Sequence, residues 1–355
     1  MGAGSFGTAV AVLMERAGMR TTLLCRTREQ VEELAHTREN TRYLPGVHLP
    51  ERLKLRLLGE VDDQFERSDL IFVAVPSKGL QSALDELRRQ GASPRAGLVS
   101  LAKGLVPPDG TPPTLALEEI FGPDRVACVG GPAHAKEMVM HGAGLVCASH
   151  SQALANRVAD VFRAAGLVCE ASTDPVGVEL AGCAKNAAAL AAAAAEQQGL
   201  NAAGMAAADI FTEVLSLAKL RGARSRTFVG RAGIGDLVAT ALAPSSRNRS
   251  AGELLGQGVP ASEIPERVGQ AVEALETVPL LARAIERAGL EGPMVSSLAS
   301  LIDGSLPLEW WVERVRVSQP EHESRGSAFT DWWYRVRSRW RRRRGVAPVG
   351  VGESR

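Results

Sequence analysis

The chain opens with MGAGSFGTAV (residues 1–10), in which Gly2, Gly4 and Gly7 have the spacing G-x-G-x-x-G. This spacing is typical of a dinucleotide-binding turn when the turn follows a β-strand and opens an α-helix. Residues 8–18, TAVAVLMERAG, predict the helix, because a helix-forming stretch ends there at a glycine. Only Met1 precedes the glycines, so we expect the first strand to be missing and its neighbours to have unpaired edges. We hypothesise that the native protein begins several residues upstream.

The composition is that of an ordinary globular protein. The 355 residues are 45% hydrophobic and 23% charged, with a net charge of +1, which allows two domains and indicates no nucleic-acid or membrane partner. The N-terminus does not resemble a leader, and no apolar run is long enough to span a membrane. We therefore predict a cytoplasmic protein whose five cysteines are buried free thiols. The six histidines lack the spacing of metal ligands, so no metal is expected.

Strand-like and helix-like segments alternate through the first half of the chain. Strands are predicted in six segments: residues 20–25, 53–58, 69–77, 97–104, 126–132 and 144–149. The third of these, DLIFVAVPS, is continuously apolar and predicts a strand that is buried on both faces. Helical stretches such as residues 78–91 separate several strands. This alternation predicts a doubly wound, mostly parallel, Rossmann-like α/β sheet over residues 1–170, with ligands at the carboxyl ends of its strands.

The second half of the chain predicts helices alone. Residues 177–199 and 202–222 have the pattern of long helices that end at glycines, and the first of them is apolar on every face. We predict an all-helical substrate domain over residues 171–312. Residues 313–355, which include RVRSRWRRRR, are predicted to be a basic, disordered tail. Contact of this tail with nucleic acid or an anionic surface is the weaker alternative.

Three basic side chains in these patterns are suited to binding or proton transfer. Arg26 follows the second strand, where an arginine is typical of NADP and an acid of NAD, so NADP is favoured over a plain surface charge. Lys103 follows a buried strand, where it could polarise a carbonyl or bind phosphate, or be a solvated loop lysine. Lys185 lies in the apolar helix, where burial would lower its pKa and allow proton exchange near neutral pH. The alternative for Lys185 is a lysine that caps the helix or reaches solvent.

The segment RAGIGDLVATALAPSSRNRSAG (residues 231–252) contains a second group of polar side chains. Asp236 lies between a glycine turn and an apolar run, and Ser246, Arg247 and Asn248 follow it. A hydroxyl, a guanidinium and an amide side by side suit a phosphate ester, so a small phosphorylated substrate is predicted. An ordinary polar loop would not require these residues to share one segment.

The order of these motifs resembles that of the bacterial type of NAD(P)-dependent glycerol-3-phosphate dehydrogenase. The matching segments are GAGSFGTAVA, NTRYLPGVHLP, VAVPS, SLAKGL, GGPAHAKE, GVELAGCAKNAAAL, GIGDLVAT and SSRNRSAG. They are spread over roughly residues 2–305. The resemblance implies an oxidoreductase that reduces dihydroxyacetone phosphate to sn-glycerol 3-phosphate with NADH or NADPH, as a supply for glycerophospholipid synthesis. A homo-oligomer is also expected.

The glycine pattern and the resemblance together assign roles by position. The resemblance implies that Lys185 exchanges a proton with the C2 oxygen of the substrate, and that Lys103 and Asp236 complete the catalytic group. The two lysines would lower each other's pKa, an effect that Asp236 could offset. Cofactor contacts are predicted for Gly2, Gly4, Ser5, Phe6, Gly7, Arg26, Lys103, Ala135, Arg247 and Glu273. Substrate contacts are predicted for Lys103, Gly131, Ala133, Lys185, Asp236, Ser246, Arg247 and Asn248.

Two other functions stay open on the sequence. Another NAD(P)-dependent hydroxyacid-type dehydrogenase would share both domains, although Asp236 and the residues at 246–248 favour a phosphorylated substrate. A degenerate, non-catalytic nucleotide-binding paralogue would account for a missing strand. Such a chain would have no reason to keep Lys103, Lys185 and Asp236 together.

Overall fold

The computed structural model describes residues 1–60 and 64–317. Its strands are β1 (Thr22–Cys25), β2 (Lys54–Leu57), β3 (Leu70–Val73), β4 (Gly97–Ser100), β5 (Val126–Gly130), β6 (Gly144–Ala148) and β7 (Val168–Ser172). The helices that accompany them are α1 (Ser5–Arg16), α2 (Arg28–Thr37), α3 (Gln64–Arg67), α4 (Leu80–Gln90), α5 (Pro113–Phe121), α6 (Ala135–His141) and α7 (Gln152–Ala164). The second half contains α8 (Pro175–Ala195), α9 (Leu200–Leu220), α10 (Ser225–Val229), α11 (Asp236–Leu242), α12 (Arg247–Gly256), α13 (Ile264–Val268), α14 (Glu273–Arg287), α15 (Pro293–Asp303) and α16 (Leu308–Val317).

The strands form two sheets, which is the arrangement expected of a Rossmann-like sheet whose central strand is missing. The first sheet pairs β1 with β2, and the second has the order β3-β4-β5-β6-β7. All pairs are parallel except β5 with β6, so the predicted mostly parallel sheet is confirmed. The sequence pattern missed β7, an edge strand that alternates exposed and buried residues at its start.

One strand prediction needs correction in length and burial. Of residues 69–77, which were expected to form a strand buried on both faces, only Leu70–Val73 form β3. Leu70 and Phe72 are partly exposed whereas Ile71 and Val73 are buried, so one face of β3 is less covered than the other.

Met1 and Gly2 lie between β1 and β3, where the first strand was expected to be missing. The Gly2 amide donates a hydrogen bond to the Leu24 carbonyl at 3.0 Å, which ties the chain to β1. On the other side, the Ala74 amide donates to the Met1 carbonyl at 2.8 Å, and the Met1 amino group donates to the Phe72 carbonyl at 2.8 Å. Among the described residues no strand pairs β1 with β3, and the hydrogen bonds of Met1 and Gly2 join the two sheets instead.

The helical half is built around α8. Nearly every residue of α8 is buried, which agrees with its apolar pattern, and it packs against α9, α11, α12 and α14. The small alanine side chains let neighbouring helices approach closely, and Asp174 caps the helix by accepting from the Gly177 amide at 2.9 Å. This packing holds Lys185, in the middle of α8, away from solvent.

Both predicted domain boundaries fall inside an element. The boundary after residue 170 lies within β7, which continues to Ser172. The boundary after residue 312 lies within α16, because Trp311 and Val315 bury their apolar side chains against the helical core and extend the helix to Val317. The rest of the predicted basic tail, residues 318–355, lies outside the described residues. Within residues 1–60 and 64–317, none of the helices combines the length and hydropathy that a membrane span requires.

Candidate active site

The glycine-rich turn leaves space at the N-terminus of α1. Gly2 has φ +101°, and a Cβ on Gly7 would lie 2.1 Å from the Gly2 carbonyl oxygen, so both positions require glycine. A Cβ on Gly4 would meet no atom within 4 Å. The helix begins at Ser5 with no side-chain cap and no acid in its first turn, so free N–H groups and the positive dipole end lie beside this space. These residues fit the pyrophosphate of a dinucleotide.

Arg26 directly follows β1, on the same edge of the sheet as the glycine turn. Its side chain is exposed, whereas Arg28 forms an ion pair with Glu60. Thr27, between them, caps α2 by accepting a hydrogen bond from the Gln30 amide at 3.3 Å. Arg26 therefore lies where the sequence prediction places a partner for the 2′-phosphate of NADP.

The structure brings the three predicted catalytic residues together from three distant segments. Asp236, the first residue of α11, is 1% exposed. Its Oδ2 lies 3.0 Å from Lys103 Nζ, and its Oδ1 lies 3.4 Å from Lys185 Nζ. Lys185 also donates a hydrogen bond to Thr240 Oγ1 at 2.9 Å. One carboxylate is thus shared by two ammonium groups in a largely dry site.

The charges of this cluster control its protonation. Burial, the largest cause, and the charge of Lys103 lower the pKa of Lys185 to about 8, although the charge of Asp236 acts in the opposite direction. Burial alone would raise the pKa of Asp236, but Lys103 and Lys185 together hold it below its usual value. Lys185 therefore titrates near neutral pH beside a carboxylate that stays charged, as a group that exchanges protons requires.

Lys103 joins this cluster to the glycine turn. Its Nζ lies 5.7 Å from the centre of the Phe6 ring, in the first turn of α1, and donates to the Gly131 carbonyl at 3.3 Å. The space beside α1 and the buried carboxylate of Asp236 are therefore neighbours. A dinucleotide with its pyrophosphate at α1 would bring its nicotinamide near the two lysines if it extended from α1 towards Lys103.

The predicted phosphate-binding residues lie at the N-terminus of α12. Ser246 is buried and caps the helix by accepting from the Arg249 amide at 3.3 Å, so its hydroxyl has a structural use. Arg247 is exposed, and its Nη1 donates to the Ala271 carbonyl at 3.1 Å. No acid occurs in the first turn of α12, which favours an anion there.

Asn248 forms part of a chain of amides that reaches Lys103. Its Oδ1 accepts from the Ala274 amide at 3.4 Å, and its Nδ2 donates to Asn186 Oδ1 at 2.8 Å. Asn186 Nδ2 in turn donates to the Lys103 carbonyl at 3.2 Å. The chain of hydrogen bonds joins α14, α12 and α8 to the loop after β4, and it fixes the backbone that carries Lys103.

Three further residues with predicted contacts lie on other elements of the fold. Ala133 is buried in the turn after β5, Ala135 begins α6, and Glu273 begins α14. The charge of Glu273 raises the pKa of Lys185, which indicates that α14 faces the same site. Groups of three or more metal-binding side chains do not occur among residues 1–60 and 64–317.

Sequence reasoning missed three residues of this site. Thr240 lies four positions after Asp236 on α11, a spacing that places both on one helix face and could have identified it. Asn186 lies next to Lys185, but the sequence does not show which way its amide points. Burial and the charges of Lys185 and Lys103 lower the pKa of His134, which therefore lies close to the two lysines.

A nucleotide-binding turn next to a buried lysine–carboxylate cluster, on a Rossmann-like sheet with a helical second half, defines a nicotinamide-dependent dehydrogenase. Family models for the NAD-dependent glycerol-3-phosphate dehydrogenase N-terminus and C-terminus match residues 1–155 and 174–313. The chain belongs to this family of NAD-dependent glycerol-3-phosphate dehydrogenases.

Relatives from bacteria support the same family. The chain is 34% identical over 327 residues to a glycerol-3-phosphate dehydrogenase, NAD(P)+, of Pseudomonas entomophila, covering 90% of this chain and 94% of that one. It is 34% identical over 328 residues to the protein of the same name from Methylococcus capsulatus, covering 91% and 97%. The crystal structure of a glycerol-3-phosphate dehydrogenase from Coxiella burnetii matches with a TM-score of 0.82 at 26% identity, covering 89% of this chain and 97% of that chain.

Proposed function

We propose that the protein reduces dihydroxyacetone phosphate to sn-glycerol 3-phosphate with NADPH or NADH and thereby supplies glycerophospholipid synthesis. The observation that carries this proposal is the cluster of Lys103, Asp236 and Lys185 beside the N-terminus of α1. It combines a proton-exchanging amine, a fixed countercharge and a neighbouring pyrophosphate site.

Lys185 is the proton donor in this mechanism. The reduced nicotinamide, when bound, would supply the hydride that reaches C2 of the substrate. As the C2 oxygen becomes an alkoxide, the Lys185 ammonium donates its proton, and the reverse reaction returns that proton to the neutral amine. Asp236 keeps Lys185 charged at neutral pH, and the Lys103 ammonium stabilises negative charge on the same oxygen.

The substrate phosphate is assigned to the N-terminus of α12. Arg247 can form paired hydrogen bonds with phosphate oxygens, and the positive end of the helix adds to its attraction. Asn248 holds this turn in place through Asn186. Gly131 and Ala133 line the site with little side-chain volume, which leaves room for a three-carbon substrate.

The finer choice of cofactor is NADPH over NADH, and Arg26 supports it. The guanidinium is exposed at the end of β1, where a 2′-phosphate would lie. Arg26→Ala should raise the KM for NADPH about tenfold while leaving that for NADH within twofold, since one charge-assisted pair is worth roughly 1.5–3 kcal/mol. Arg28→Ala is the matched control, because Arg28 is already paired with Glu60. If Arg26→Ala raised the KM for NADPH and the KM for NADH equally, the proposed preference for NADPH would be contradicted.

The activity is tested by following NADPH absorbance with three substrates. We expect oxidation with dihydroxyacetone phosphate and almost none with dihydroxyacetone, which lacks the phosphate. Turnover of a 2-oxo acid instead would favour the hydroxyacid-type dehydrogenase. NADPH binding without turnover of any substrate would favour the non-catalytic paralogue.

The proposal also includes a cytoplasmic location and self-association. The five cysteines are all buried and free, which suits a reducing compartment. Large apolar side chains are exposed at several places on the helical half, among them Leu200, Leu220 and Leu242. A mass in solution equal to one chain would contradict self-association.

A further inference from the structure

Two side-chain amides hold one peptide of the glycine turn. Asn40 Nδ2 donates hydrogen bonds to the Ala3 carbonyl at 3.1 Å and to Thr8 Oγ1 at 2.8 Å. Gln30 Nε2, from α2, donates to the same Ala3 carbonyl at 3.2 Å. Asn40 is 3% exposed and Thr8 is fully buried, so the two bonds of Asn40 are made away from water.

The acceptors fix the orientation of the Asn40 amide. A carbonyl oxygen can only accept, so the Asn40 nitrogen has to face Ala3, and both of its N–H groups are then used. Asn40 itself is held by the turn that follows it, where its carbonyl accepts from the Leu44 amide at 2.7 Å. The donor therefore approaches Ala3 from a rigid support.

Holding the Ala3 carbonyl also determines the direction of the next N–H. In a trans peptide the C=O of one residue and the N–H of the next point in opposite directions. The Gly4 N–H therefore points away from Asn40 and Gln30. An added Cβ at Gly4 would meet no atom within 4 Å, so this residue borders open space beside the free N-terminus of α1.

We propose that Asn40, supported by Gln30, is a positioning residue that aims the Gly4 N–H at the pyrophosphate of the nicotinamide cofactor. This inference rests on the proposed function, because it presumes a dinucleotide at α1. Asn40 touches no reacting atom and acts through the Ala3–Gly4 peptide. An unsupported peptide could rotate its N–H out of the site, and the cofactor would lose one donor.

The two bonds of Asn40 can be separated by mutation. Asn40→Asp replaces the donor with a carboxylate that repels the Ala3 carbonyl, and Gln30→Met removes a bond made to Ala3 alone. Thr8→Val removes the other acceptor of Asn40 and leaves the Ala3 contact intact, so it is the matched structural control. Gln30 is partly exposed, so its variant should fold even if Asn40→Asp does not.

The test measures the Kd of NADPH by fluorescence titration, the melting temperature and steady-state kinetics of the full chain. We expect the Kd and KM for NADPH to rise about tenfold in Asn40→Asp and about threefold in Gln30→Met, since a hydrogen bond contributes roughly 0.5–1.5 kcal/mol. The kcat at saturating NADPH and the KM for dihydroxyacetone phosphate should stay within twofold. Thr8→Val should lower the melting temperature without changing the Kd.

An unchanged Kd in Gln30→Met and Asn40→Asp with a lower melting temperature would overturn the proposal, because a merely structural role predicts that result. The proposal would also be overturned if Thr8→Val raised the Kd of NADPH as much as Asn40→Asp does. If the unaltered protein binds neither NADPH nor NADH, the proposed function itself fails, and this inference falls with it. The two failures are distinguished by the titration of the unaltered protein.

Discussion

The two ends of the candidate site are built in opposite ways. The nucleotide end, residues 2–7, consists of three glycines, two small side chains and the Phe6 ring, which lie next to one another in the sequence. The substrate end joins Lys103 from the loop after β4, Lys185 from α8 and Asp236 from α11, and its chemistry depends on charges removed from water. The nucleotide end depends on three positions that lack a side chain, and the substrate end depends on three side chains that meet. Substitutions at the two ends should therefore impair different properties of the protein.

The largest effect is expected at the substrate end, from Lys185→Met. This change removes the proposed proton donor but keeps an unbranched apolar side chain in the buried helix, so folding should be retained. We expect kcat to fall about 10³-fold, within the range that a positioned acid contributes, with NADPH affinity nearly unchanged. Steady-state assays measure kcat, and a cofactor titration measures the affinity for NADPH. A loss below tenfold would mean that another group supplies the proton.

The next effect is a shift in pH dependence from Asp236→Asn. In the reducing direction Lys185 has to be protonated, so kcat should decline as the pH rises through the Lys185 pKa of about 8. Loss of the carboxylate removes the charge that raises this pKa, and the decline should move to lower pH. The oxidation of glycerol 3-phosphate needs the neutral amine, so its rate should instead rise through the same pH range.

This prediction is checked by the direction in which the reduction and oxidation pH profiles shift in the variant. If the reduction profile of Asp236→Asn stayed in place or moved to higher pH, the titrating group would not be Lys185. A melting curve recorded at pH 7 separates this result from unfolding of the variant. The profile is informative even where the absolute rate is low, because the position of the decline does not depend on its height.

The contrast between the two ends also explains how much the sequence could predict. The glycine turn, α1 and the burial of Lys185 follow from local spacing and the apolar pattern of α8, and the structure agrees with each. The meeting of Lys103 with Asp236 depends on packing between segments 133 positions apart. It could be expected only from the resemblance. Asn40 escaped notice because no local pattern shows that its amide reaches Ala3.

The differences between the predicted and the observed fold also arise from packing between distant segments. Strand β7 was missed because its alternating exposure reflects an edge position that is fixed by its pairing with β6. The predicted boundary after residue 312 rests on a composition that turns basic there, whereas burial of Trp311 and Val315 continues α16 to Val317. Tertiary packing overrode local composition in both places.

At the nucleotide end, a pair of alanine substitutions should separate binding from folding. Gly4→Ala places a methyl group in open space, so the melting temperature should stay level while the Kd of NADPH rises roughly tenfold to hundredfold, as overpacking of a binding surface does. Gly7→Ala places the same group 2.1 Å from the Gly2 carbonyl oxygen and should lower the free energy of unfolding by about 2–3 kcal/mol. Equal loss of stability in both variants would contradict the assignment of the open space to a ligand.

The smallest effect is expected from Thr240→Val, which tests how finely the substrate end is arranged. Thr240 accepts a hydrogen bond from Lys185 Nζ at 2.9 Å and lies 3.4 Å from Asp236 Oδ1 through its own hydroxyl. Valine keeps the volume but leaves one N–H of the buried ammonium unpaired, which costs about 1 kcal/mol and should lower kcat roughly fivefold. The same loss disfavours the charged amine, so the pH at which reduction declines should fall slightly. Thr240→Ser keeps the hydroxyl and should restore both values. A serine variant as impaired as the valine variant would show that the methyl group, rather than the hydrogen bond, positions Lys185.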